Sequence, residues 1–333
     1  MALTTKTDIP EAYIFRLPIE LLELAASYTQ LEDIMSLRLA CKEFNHQLIR
    51  AYERVKYSKL TFYLANKYSM QTLEDLSKHP VLGKCIKTIQ LAEGQFILWC
   101  DRLVYRKDTL PSVRPNTREE KNVFGAMRKV HNGVVYEQDA HLEQHGWQQY
   151  LARALINIKT NVPNASVNVI TLSAEDAKAF PVVGRNRMER LVGYKNCFEG
   201  KSDLKSRTDH VARAIMDGAC PVSVLHLGTT ESPVIDSTLT GLKHHLEFAT
   251  TFGSLTELHL YFRSDVDGSE LAMMLAKIPA LSKLYLGSSW ELQNLQAIDT
   301  FLRQATLPAL QDLDLQMHFR DVGPLVYFLR QNQ

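Results

Sequence analysis

One spacing is shared by seven segments spread along this chain: an apolar residue, two others, an apolar, one other, an apolar. The triplets are Tyr57/Leu60/Phe62, Ile86/Ile89/Leu91, Val167/Ile170/Leu172, Val222/Leu225/Leu227, Leu255/Leu258/Leu260, Leu281/Leu284/Leu286 and Leu310/Leu313/Leu315. The last two members of each are two residues apart, so on an extended strand they share one face and the residue between them takes the other. Successive middle members are 29, 81, 55, 33, 26 and 29 residues apart. Steps near thirty leave room for a strand, a helix and two turns, which is the crossover length that joins parallel strands. The expectation is an α/β chain built on a parallel sheet.

Helical patterns fill the gaps. Ser69 is placed to cap a helix carrying Leu73 and Leu76, which Pro80 and Gly83 end. Residues 202–216 carry Leu204, Val211 and Ile215 and meet Gly218, a helix-ending residue type. Residues 239–248 carry Leu242 and Leu246, 269–278 carry Leu271, Leu275 and Ile278, and 292–305 carry Leu295, Ile298 and Leu302. The two long steps require insertions at 93–165 and 174–201. Within the first, 96–105 is apolar and aromatic around Trp99, and 110–117 is a loop with two prolines. Helices are expected over 118–131 and 136–159, the second burying Leu142, Tyr150, Leu155 and Ile158.

Ahead of the repeats, residues 1–12 read as a loose polar tail and residues 13–52 as a small apolar unit. In that unit 23 of 40 residues are apolar, about 57%, against 45% for the whole chain. A segment of this size cannot hide that much apolar surface by itself. Its pattern predicts three short helices. Pro18 suits a first helical turn, where its missing N–H costs nothing, and Leu21, Leu22, Ala25 and Tyr28 follow at helical spacing. Glu32 and Asp33 place negative charge at a second helix start. Ile34, Leu37, Cys41, Phe44 and Leu48 continue the stripe.

Leu17-Pro18, Glu20-Leu21-Leu22, Ser27-Tyr28, Leu31-Glu32-Asp33, Leu37-Arg38-Leu39 and Cys41-Lys42 followed by Phe44-Asn45 resemble an F-box of the filamentous-fungal type. The resemblance implies docking on the SKP-type adaptor of an SCF cullin–RING ubiquitin ligase, and through it on a cullin scaffold. By motif position the adaptor contacts it implies are Leu17, Pro18, Leu21, Leu22, Ile34, Leu37, Cys41 and Phe44. Ala25 and Thr29 stand where that family carries larger aliphatic residues, and Phe44 stands where it often has Trp. The stretch 53–333 resembles a degenerate leucine-rich-repeat solenoid, its clearest copy being LPALQDLDL at 307–315. Together the two resemblances imply a substrate-recruiting subunit with an unknown target protein, and no enzymatic role. Two alternatives stay open: an F-box-like part that is only a structural cap on a binding scaffold, and an ordinary doubly wound α/β domain.

The balance of 38 basic and 37 acidic residues, net +1, gives no global pull toward nucleic acid or membrane. Five cysteines, odd in number and without a C-x-x-C pair, argue for free thiols in a reducing compartment. No apolar run approaches a membrane span and the start lacks a signal-peptide pattern. A cytoplasmic or nuclear protein without a cofactor is expected.

The residue between the last two apolar members of each triplet should face the open side of the sheet: Thr61, Gln90, Thr171, His226, His259, Tyr285 and Asp314. Two positions earlier come Lys59, Thr88, Val169, Val224, Glu257, Lys283 and Asp312. From these, His226, Glu257, His259, Lys283, Tyr285, Asp312 and Asp314 form the expected target-binding strip; solvated sheet surface is the bland alternative. His226 and His259 fall on adjacent strands, but spacing fixes no third ligand, so no metal site is expected. His141 and His145 share a helix face, yet HLEQH lacks the zincin glutamate. Gly200-Lys201-Ser202 lacks the upstream glycine of a phosphate loop, since residue 195 is Lys195. Arg185, Arg187, Arg190, Lys195, Lys201, Lys205 and Arg207 make a basic cluster that acidic residues interrupt.

Overall fold

The computed structural model describes residues 17–93, 95–96, 117–144, 146–173, 175–183, 185, 187, 198–199, 207–229, 234, 242–262, 266–288, 295–316 and 321–332. The chain divides into two compact units, Met1–Lys59 and Leu60–Gln333.

The first unit is helical: α1 (Ile19–Ser27), α2 (Leu31–Ala40), α3 (Lys42–Gln47) and α4 (Ile49–Ser58). Pro18 is the residue just before α1, where its fixed φ suits the entry and its carbonyl accepts from Leu21 and Leu22 N–H at 3.0 and 3.2 Å. Four helices replace the three expected, because Cys41 is extended (φ −157°, ψ 165°) and breaks the second stripe. Its thiol accepts the Phe44 N–H at 3.4 Å and so caps α3. Leu22, Ala26, Ile34, Leu48 and Ala51 make a small core, with Phe44, Tyr52 and Val55 packed against it. Each large aliphatic residue buried there contributes about 1.5–3 kcal/mol. Arg54 holds Glu23 at 2.7 Å, and the Arg38 guanidinium lies 4.2 Å from the Tyr52 ring centre.

The second unit is built on eight strands: β1 (Lys59–Tyr63), β2 (Thr88–Ala92), β4 (Val167–Leu172), β5 (Val182–Val183), β7 (Val222–Leu227), β8 (Glu257–Phe262), β9 (Lys283–Ser288) and β10 (Asp312–Gln316). Each of the seven triplets supplies one strand. Their order in the sheet is β10-β9-β8-β7-β4-β2-β1-β5, so the seven lie side by side in chain order. Short β5, which the sequence pattern missed, adds in parallel to β1 at the edge. The pairings β2–β4, β4–β7, β7–β8, β8–β9 and β9–β10 are all parallel. A separate antiparallel pair joins β3 (Gln95–Phe96) to β6 (Phe198–Glu199).

Apart from the excursion to β5, each step between the seven triplet strands advances the sheet in the same direction. Right-handed crossovers then put the connecting helices on one face. Those helices are α5 (Lys67–Lys78), α6 (Leu82–Cys85), α8 (Gly146–Asn161), α9 (Arg207–Gly218), α10 (Phe248–Phe252), α11 (Gly268–Leu275), α12 (Leu295–Gln304) and α13 (Gly323–Gln331). One core lies between sheet and helices: Ile89, Leu91, Leu225, Leu227, Leu258, Leu260, Leu284 and Leu286 from strands meet Leu73, Leu155, Val211, Ile215, Leu271, Leu275, Leu302 and Phe328 from helices. The expected Gly218 stop has a different basis. Ala219 is the residue in the left-handed region (φ 46°), whereas a side chain at Gly218 would meet the Leu155 Cβ at 2.7 Å. Gly218 lets α9 approach α8.

The first insertion contributes α7 (Arg118–Glu143) and α8. α7 ends at Glu143 and α8 begins at Gly146, so α7 joins the first expected helix to the start of the second, and α8 holds the remainder. Val135 of α7 packs with Tyr63, Ala92, Ala177 and Val182. On the same face Thr61 donates to Gln90 Oε1 at 2.9 Å, with both residues buried. The face opposite the core is thus covered near β1 and β2. The stretches 97–105 and 110–116 lie outside the described residues. Among the described residues no helix is long and apolar enough to cross a membrane.

Candidate functional site

Parallel register turns strand positions into rows. One row runs Gln90, Ile170, His226, His259, Tyr285, Asp314 across neighbouring strands, and a second runs Thr88, Asn168, Val224, Glu257, Lys283, Asp312. The seven residues singled out for the strip lie in these two rows, on the four strands β7 to β10. Two expected members are corrected. Thr171 and Val169 give way to Ile170 and Asn168, because the register slips by one between Val167 and Asn168 against β7. Thr171 is buried instead, donating to the carbonyls of His226 (3.1 Å) and Gly228 (3.3 Å).

Adjacent strands stand about 4.8 Å apart, close enough for planar rings in register to stack. The His226 and His259 ring centres are 3.7 Å apart with 20° between planes, and His259 and Tyr285 are 5.0 Å apart at 15°. Glu257 shares a face with His259 because they are two positions apart on β8. Its Oε1 lies 3.1 Å from His259 Nε2 and 3.4 Å from His226 Nε2. Lys283 Nζ is 3.7 Å from the other oxygen, Oε2. Sequence reasoning placed Glu257 on this face but missed it as the third member of the histidine pair; the signal was E-L-H, with both polar residues on one side of β8.

Electrostatics follow from half-burial. Burial, and then the charge of His259, push His226 down to about 4, against the pull of Glu257, so His226 is neutral at pH 7. Burial raises the Glu257 carboxyl, but hydrogen bonds and charge from His226 and His259 outweigh it and hold it below its ordinary range. Burial raises Tyr285, helped by Tyr261 and Asp314. Beside the rings opens a recess of about 240 Å³, lined by Asp176, Thr229, Tyr261 and Tyr285 among others. Its wall needs glycine. Gly228 has φ +85°, and a side chain there would meet the Tyr261 carbonyl oxygen at 2.5 Å. The Tyr261 ring lies over Gly287, where a Cβ would come within 2.5 Å of it.

A second cavity, about 570 Å³, opens between α5, α7 and α8. His141 lines it and is pushed down to about 4, by burial first and then by Lys67. Arg153, also on its wall, is held by Glu74 at 2.9 Å. His145 and Gly200-Lys201-Ser202 lie outside the described residues. Of the basic cluster, Arg185 donates to the Tyr63 hydroxyl (2.8 Å) and Ala177 carbonyl (3.1 Å), and Arg187 lies over the Tyr68 ring; Arg190, Lys195, Lys201 and Lys205 are outside the described residues. Cys220 is buried and its thiol is pushed up to about 11, which makes it a poor nucleophile.

In the helical unit the eight expected contact residues separate into three groups. Leu17, Pro18, Leu21 and Leu37 are exposed, Leu21 by 50%. Leu22 and Ile34 are sealed in the unit's own core at 4% and 0%, and Cys41 and Phe44 are half-buried. Leu24, Tyr28, Met35 and Leu39, which were not among the expected contacts, are also exposed, Leu39 by 85%. Neither the protein-family models nor the curated proteins searched contain a match to this chain.

Proposed function

We propose that this chain is a substrate-recruiting subunit of an SCF-type ubiquitin ligase, with an F-box-like unit at residues 13–52 and a leucine-rich-repeat-like α/β region after it. The observation that carries the reading is the exposed apolar set Leu17, Leu21, Leu24, Leu37 and Leu39 on a helical unit with only a small core of its own. Surface of that kind calls for a partner. In this reading Leu17, Pro18, Leu21 and Leu37 meet the SKP-type adaptor, Leu22 and Ile34 hold the helices that present them, and Cys41 and Phe44 set the α2–α3 corner. The seven strands in chain order, with all the helices of the second unit except α7 on one face, suit a solenoid whose other face, beyond the part that α7 covers, takes a target protein on the strip from His226 to Asp314. The work is proximity: a target lysine is held near a ubiquitin thioester carried elsewhere in the complex. Co-expression with an SKP-type adaptor tests it. Wild-type chain should co-purify with the adaptor and a Leu21→Asp/Leu37→Asp variant should not; no association of the wild type would end the reading.

A second reading is a binding scaffold whose F-box-like part is only a cap. Leu22 and Ile34 already sealed inside support it, as does the Thr29 hydroxyl donating to the Ala25 carbonyl at 2.9 Å, which gives both small positions a role in ending α1. Hydrogen exchange separates the two. A cap protects the α1 and α2 amides in the free chain, whereas a docking unit gains that protection only with adaptor present.

A further inference from the structure

We propose that His226, His259 and Glu257 form a binding site for one divalent transition-metal ion, with zinc the best chemical fit. The strand register builds it. His226 and His259 are paired across β7 and β8, and Glu257 stands two residues before His259 on the same face. Their ligand atoms all lie within 4.8 Å of one another, with Glu257 Oε1 at 3.1 and 3.4 Å from the two Nε2 atoms. Ligands held about 2.0–2.1 Å from a tetrahedral zinc stand about 3.3 Å apart. The separations around Glu257 are close to an edge of that tetrahedron, and turning the stacked rings out of parallel would aim both Nε2 lone pairs at one ion.

The donor chemistry narrows the ion. Two imidazole nitrogens and one carboxylate suit zinc and its first-row neighbours, whereas magnesium and calcium want a shell of oxygens. Lys283 sits 3.7 Å from Glu257 Oε2 and leaves Oε1 to face the histidines. The Thr171 hydroxyl ties the His226 and Gly228 carbonyls together, which fixes the end of β7. This bond steadies the strand that carries His226 through its backbone. Three protein ligands leave a fourth position open to the recess that Tyr285 and Asp176 line. Water, or a donor atom from a bound partner, would complete the tetrahedron there.

Without metal, each Nε2–H donates to Glu257. On binding, each imidazole moves its proton from Nε2 to Nδ1 of the same ring and stays neutral, while the carboxylate gives up the two hydrogen bonds for the ion. The site does not depend on a ligase role, since a scaffold would carry it equally well.

The test uses untagged full-length chain, stripped with chelator and titrated with zinc chloride by calorimetry. Cobalt absorption spectra report the geometry. Wild type should take one equivalent and give the intense visible bands of tetrahedral cobalt. His226→Gln and His259→Gln should each weaken binding by at least about tenfold, since even outer-shell changes commonly cost 10–100-fold. Replacing His244, an exposed histidine outside the cluster, with Gln should change nothing. Circular dichroism confirms that the variants fold, which the half-exposed positions of both rings favour. Failure of the wild type to take up one equivalent would overturn the site. So would undiminished uptake by folded His226→Gln/His259→Gln.

Discussion

The imidazoles of His226 and His259 stack 3.7 Å apart across two parallel strands and share one carboxylate oxygen of Glu257. Two cations would not rest there in comfort. The arrangement favours keeping His226 neutral, and the burial that depresses it to about 4 works in the same direction.

A pH dependence of stability follows. The unfolded chain protonates this histidine near 6.5, the folded chain near 4. Between those values the unfolded state binds more protons, so stability is full above pH 6.5 and falls as pH drops toward 4. His141, depressed to about 4 as well, adds to the same window. The lowered Glu257 acts later, below its unfolded value of 4.5. Thermal melts from pH 7.5 to 4 should show a falling Tm in wild type, and His226→Gln and His141→Gln should each flatten part of the slope. Equal slopes in all three would count against the buried-neutral assignment.

Within the helical unit, neighbouring positions should behave in opposite ways. Leu22→Ala and Ile34→Ala remove core side chains and should each cost about 2–4 kcal/mol in urea denaturation. Leu21→Asp and Leu37→Asp change exposed side chains and should cost under about 0.5 kcal/mol. Only the second pair should abolish adaptor co-purification while leaving a folded protein.

Backbone handedness makes a third pair. Gly228→Ala puts a Cβ at φ +85° against the Tyr261 carbonyl oxygen and should destabilise by at least about 1–2 kcal/mol. Ala219→Gly relieves a left-handed alanine at φ 46° and should stabilise by about 0.5–1 kcal/mol. Chemical denaturation of both variants against wild type decides the signs.

The strands were legible because burial of one face writes a period of two into the sequence, and the spacing between triplets gave parallel pairing. Handedness of the crossover then leaves little freedom in strand order. What stayed hidden was local. In VNVITL apolar residues occupy both faces, so the pattern alone could not choose between Ile170 and Thr171; a one-residue slip beside β7 chose. The corner at Cys41 sits inside an unbroken apolar stripe, and β5 is two residues long. Glu257 was visible as a polar residue on the right face. Its convergence with both histidines needed the register of two separate strands, which no single stretch encodes.

Among the described residues, the march of strands ends at β10. Its residues Asp312, Asp314 and Gln316 are exposed, alternating with half-buried leucines. A bare strand rim invites a neighbour of the same kind to add on, and repeated addition makes fibres. Two carboxylates spaced along that rim repel an identical copy arriving in register. The acidic pair at the end of the polar strip would thus work against self-templated growth wherever that rim is left unpaired.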